Sequence, residues 1–169
     1  MDIVELILRW SHILSAVVLA GGTIGWRVAV VPGLTALGGE QREAFLQASR
    51  KPWSMVVGIT SGLLLASGLY NAIVIIIRND FSNAPLPYHA LVAVKLLLAL
   101  VLFFLAARLS GKSSGAVRFR ERLTFWLNVN CLLAILLVCL GGLMRLTPRE
   151  LKAQDAVMET AVVQESLDA

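Results

Sequence analysis

The stretch Trp53–Ile77, WSMVVGITSGLLLASGLYNAIVIII, runs from end to end without a charged side chain. A hydrocarbon core about 30 Å thick is crossed by roughly 20 helical residues, so this stretch is long enough to span one. Three stretches of the same character accompany it, at Leu6–Val31, Tyr88–Ala107 and Leu123–Met144. The chain therefore reads as all-α: an integral membrane four-helix bundle over residues 1–146, followed by an acidic C-terminal tail over 147–169.

The composition agrees. The 169 residues are 57% hydrophobic and 15% charged, with mean hydropathy +0.77. A soluble domain carries about 25% charged residues. The net charge of +4 could suggest a nucleic-acid partner, but the basic residues crowd into short loops beside the spans, where they set topology and meet anionic lipid. The partner expected is the lipid bilayer and not nucleic acid. The first span begins with Asp2 and Glu5 instead of a basic region, so it is read as a retained helix and not a signal peptide. Cys131 and Cys139 lie in one apolar helix at a spacing that cannot form a disulfide, and read as packing.

Charge bias sets the orientation. The first and third loops and their flanks hold nine Lys and Arg residues, and the opposite side holds five. The positive-inside rule then puts those loops in the cytoplasm and both termini outside. Within the first loop, Glu40–Ser49 reads as a short interfacial helix ending before Pro52. Asn79–Pro87 reads as an exposed turn, and Gly111–Arg120 as a short basic flexible loop. Thr147-Pro148-Arg149-Glu150 has the form of a helix start, with Thr147 as N-cap and Pro148 at the first helical position. The tail is a candidate contact for a membrane-complex partner or a second copy. Gly21, Gly22 and Gly25 on the first span, and Gly58, Gly62 and Gly68 on the second, read as small-residue seams where another helix approaches closely.

An ionisable or polar side chain inside a span is costly and marks a candidate site. His12, Asn71, His89 and Lys95 all fall in the outer half of their spans, on three different helices. His12 and His89 are the candidate metal ligands, because imidazole binds copper, iron and zinc. Lys95 and Asn71 are the candidate cofactor-binding residues. Lys95 would place a positive charge near an anion, and Asn71 would support a ligand by hydrogen bonding. Each has a plainer use: solvation for His89, an interhelical hydrogen bond for His12 and Asn71, and snorkelling for Lys95. Asn128 and Asn130 fall in the inner half of the fourth span, and Arg27 anchors the first span at the inner interface. The chain has no Walker loop, nucleophile motif, HExxH or deep intramembrane carboxylate.

Two families are brought to mind by these residues. Ser61-Gly-Leu-Leu-Leu-Ala-Ser-Gly-Leu-Tyr-Asn71-Ala resembles the second-helix pattern of the copper resistance protein D (CopD) family. Pro87-Tyr88-His89-Ala-Leu-Val-Ala-Val-Lys95-Leu resembles the opening of that family's third helix, with His89 in place of the usual Gly. His12 followed by Gly21-Gly22 and Pro32 is similar to its first helix. The resemblance covers roughly residues 8–144. It implies a bacterial inner-membrane protein that handles copper, by uptake or transfer from the outer side, with His12 and His89 as ligands. HemJ-type protoporphyrinogen oxidase is also similar. It shares four spans, a first-helix His, a third-helix Lys, and a basic lead into the last helix like Arg120-Glu-Arg-Leu-Thr-Phe-Trp-Leu-Asn128. The chain departs from it at Leu19, where an aromatic is usual, at Ala93, where a His is usual, and in lacking a second His near the end of helix 1. That resemblance implies an enzyme acting on porphyrinogens; the residues themselves offer the related alternative, a redox protein with haem b held by His12 and His89 and with Lys95 at a propionate. A structural or assembly subunit is the third reading.

Overall fold

The computed structural model describes residues 3–81, 87–111, 122–147 and 150–151. Four helices are long and apolar enough to cross a membrane, so the chain is an all-α membrane bundle. The first span comprises α1 (Ile3–Gly25), a π-helical turn (Trp26–Val30), α2 (Val31–Gly33) and a 3-10 turn (Leu34–Ala36). The π turn abuts Pro32. Val31 N–H bonds to the Trp26 carbonyl five residues back, and Pro32 has no N–H to restore the four-residue pattern.

The second span is α3 (Gly39–Arg78), which continues without a break through Pro52. The separate interfacial helix expected at Glu40–Ser49 is instead the first part of α3. A single proline removes one backbone bond, and helix packing carries the chain across that gap. Phe45, before Pro52, and Trp53, after it, both meet Trp26 at ring-centroid distances of 6.3 Å. At 40 residues, α3 is about 60 Å long, twice the hydrocarbon thickness. Its polar portion Gly39–Lys51 therefore projects beyond the lipid core.

Asn79 closes α3, its side-chain amide donating to the Ile75 carbonyl at 2.9 Å. Residues Asn79–Asp80 form β1, the third span is α4 (Tyr88–Ser110), and the fourth is α5 (Leu123–Leu146). Glu150–Leu151 form β2, which pairs antiparallel with β1. This corrects the helix start expected at Thr147–Glu150: Glu150 is extended, because β1 offers a backbone edge there. The third-loop reading at 112–120 and the rest of the tail lie outside the described residues.

Each helix packs on two neighbours: α1 on α3 and α5, and α4 on α3 and α5. Successive spans run antiparallel, so the N-terminus, the α3–α4 connection and the β1–β2 pair share one end, here the terminal end. The basic loops share the other, the loop end. Along the α1–α3 contact, the pairs Glu5–Arg78, His12–Ser67 and Gly22–Trp53 advance on one helix as they retreat on the other. Glu5 and Arg78 form an ion pair at 2.6 Å.

The interior is narrow. Leu19, Val57, Leu102, Ala106 and Ala134 form the buried core, flanked by Trp53, Leu64 and Leu137. In each apolar segment only 11–17% of the residues are buried, so most side chains face lipid.

The glycines divide by face. Gly22 lies under the Trp53 ring, where a Cβ would stand 2.8 Å from Cζ3. Gly21, Gly25, Gly58 and Gly62 have nothing within 4 Å of a Cβ, so these members of the expected seams are not used inside the bundle. Gly22→Ala is expected to cost about 1–3 kcal/mol by overpacking, lowering Tm in detergent, while Gly21→Ala leaves Tm unchanged. Equal melting of the two variants would refute the close Trp53 contact.

Candidate functional site

The polar groups of the terminal half come from every span. On α1, His12 lies nine residues, about 13 Å, beyond Ile3. Its Nδ1 is 3.0 Å from Ser67 Oγ on α3. Ser67 is only 1% exposed, and its hydroxyl donates to the Leu63 carbonyl on its own helix. The next residue, Gly68, makes room for the ring: a Cβ there would stand 3.0 Å from His12 Cε1.

Lys95 brings in α4. Its side chain is half-buried. The ammonium reaches α5 at Gly141, where a Cβ would stand 3.2 Å from Nζ. Lys95 thus lies against α5. His12, Ser67, Gly68, Lys95 and Gly141 gather residues of all four spans at one level.

Asn71 is half-buried and lies one turn outward of Ser67, on the same face of α3. His89 stands apart. It is exposed in the first turn of α4, with its ring edge toward Phe81 at 6.4 Å between centroids. Phe81 also stacks on Tyr88 at 4.2 Å. Six helical residues place His89 about 9 Å closer to the terminal end than Lys95. The structure sets Lys95 near the level of His12 and leaves His89 at the mouth. Among the described residues, no three of His, Cys, Asp or Glu converge as a metal-binding group.

The loop half holds other polar groups. Arg27 Nε donates to Asn128 Oδ1, linking the π turn to α5. Asn130 is 1% exposed, and its Oδ1 has no hydrogen-bond partner among the described residues. Cys131 and Cys139 are free thiols.

Three members of the gathered set, Ser67, Gly68 and Gly141, were not legible as site residues. Ser67 stands four residues before Asn71, and that shared helical face was the available signal. Gly68 and Gly141 carry no functional group; only the side chains packed over them reveal their use. Comparison with protein-family models, curated proteins and solved structures found no match to this chain.

The placement is tested by cysteine accessibility in a chain whose two native cysteines are replaced. His89→Cys is expected to react with a membrane-impermeant maleimide added on the side of the termini, and Ser67→Cys to resist it. Comparable labelling rates would contradict the buried position of Ser67.

Proposed function

We propose that the bundle is a haem-binding redox protein, with His12 directed to the iron and Lys95 to a propionate. The observation that carries this reading is that the Lys95 ammonium turns to Gly141 on α5, near the level at which His12 meets Ser67. An ammonium in a membrane interior is expensive and seeks an anion. Glu5, at the terminal end, is paired with Arg78. An anionic ligand that also offers a metal to imidazole uses both residues.

The donor set fits haem b in its chemistry. An imidazole is a common axial ligand, and bound haem supplies one-electron transfer. The chain's own contribution is to hold the imidazole, to neutralise a carboxylate and to exclude water with the apolar layer of Leu19, Leu102 and Ala134 beneath. The similarity to HemJ-type proteins points the same way.

The CopD resemblance supports a second reading, copper handling through His12 and His89. Lys95 weighs against it, since an ammonium next to one ligand repels a metal cation. The separation of His89 from the His12 level weighs against a shared site as well. In either case the charge bias supports an orientation with the basic loops in the cytoplasm, and the family resemblance implies a bacterial inner membrane.

The test is the absorption spectrum of the detergent-purified chain, made with ample haem supply, before and after dithionite. A Soret band with reduced α and β bands is expected, and His12→Ala should abolish it. Lys95→Gln removes a charge-assisted hydrogen bond of about 1.5–3 kcal/mol, so haem affinity should fall about tenfold to a hundredfold. A chain without a Soret band refutes the reading. His12-dependent binding of Cu(I) by that chain would put copper handling in its place.

A further inference from the structure

We infer that Ser67 is a positioning residue that holds the His12 ring with its hydrogen on Nδ1, leaving the Nε2 lone pair for the ligand. The identity of that ligand rests on the haem reading; the assignment of the hydrogen does not.

The argument is a count of hydrogens. Ser67 has one hydroxyl hydrogen, and the Leu63 carbonyl has none. Ser67 donates that hydrogen to the Leu63 carbonyl. The hydroxyl therefore meets His12 with a lone pair. The 3.0 Å contact to Nδ1 is then completed by a hydrogen on the ring. A neutral imidazole carries one such hydrogen, so Nε2 bears the lone pair.

The surroundings agree. A Cβ at Gly68 would stand 3.0 Å from Cε1 and 3.4 Å from Nδ1, so that edge of the ring lies against α3. Ser67 is buried, so water does not compete for its oxygen. This is the arrangement that prepares an imidazole as an electron-pair donor: the far nitrogen is free because the near one is committed.

A tautomer leaves a spectroscopic signature that simple packing does not. The full chain, labelled with 15N-histidine and prepared without haem in lipid nanodiscs, contains two histidines. His89→Gln leaves the His12 signals alone. Long-range 1H–15N spectra are expected to show Nδ1 as the protonated nitrogen and Nε2 as the unprotonated one. Adding Ser67→Ala should redistribute the hydrogen toward Nε2. A hydrogen on Nε2 in the chain that retains Ser67, or an unchanged tautomer after Ser67→Ala, overturns the inference.

Haem titration separates this inference from the functional reading. If haem binds, Ser67→Ala should weaken it about 10–100-fold, the usual effect of losing such a partner; unchanged affinity counts against Ser67. If the chain with Ser67 binds no haem, the haem reading falls. The 15N spectra then still decide the role of Ser67.

Discussion

Hydrocarbon offers no hydrogen bonds, and that constraint organises the interior of this bundle. Each buried donor must find an acceptor in the protein or bear a cost of several kcal/mol. Four hydroxyls solve this within their own helices. Thr23 donates to Leu19, Thr60 to Val56, Ser110 to Ala106 and Ser67 to Leu63, each to a carbonyl four residues back. Three of these four hydroxyls can be read as silent small residues in the packing. Ser67 differs because a second helix brings an imidazole to it. The same constraint makes Lys95 informative. A charged group can leave the interface only where something inside the bundle repays its desolvation.

Close packing comes from small residues placed against large ones. Ala106 and Ala134 let α4 and α5 approach at the level of Leu19 and Leu102. At the loop end, Gly22 admits Trp53, and Trp53 carries the contact on to Trp26 and Phe45. That aromatic group ties the projecting part of α3 to the π turn of the first span. At the terminal end, Gly68 and Gly141 admit His12 and Lys95 instead. Glycine thus serves packing at one end and polar side chains at the other, within the same α1–α3–α4–α5 framework.

The four spans were legible because hydrophobic length alone decides a membrane helix. His12 and Lys95 were legible for the complementary reason, since polar side chains stand out against that background. Their partners were not. Ser67 is one of several small hydroxyl residues between Trp53 and Ile77, and only its spacing from Asn71 sets it apart from Thr60 or Ser61. Its role depends on the register of α1 against α3. The continuity of α3 through Pro52 was hidden for a related reason. Proline is a local signal to stop, while the packing of Phe45 and Trp53 on Trp26 is non-local. The extended Glu150–Leu151 pair likewise depends on where α3 ends, some seventy residues earlier.

A plain interhelical staple is the simplest alternative account of His12, and the geometry permits a comparison. A staple explains the Nδ1 contact with Ser67, because one hydrogen bond between α1 and α3 stabilises the pair by about 0.6 kcal/mol on average in membranes. It explains neither why the residue is an imidazole nor why Lys95 shares its surroundings. An asparagine would join the helices without placing a basic nitrogen beside an ammonium. Placing Lys95 there is unfavourable for a purely structural role, since it adds a charge to desolvate. The two residues make sense together when something between them is both electron-accepting and anionic. Ser67 then does more than join two helices: it turns the imidazole so that its basic nitrogen is available where Lys95 supplies the positive charge.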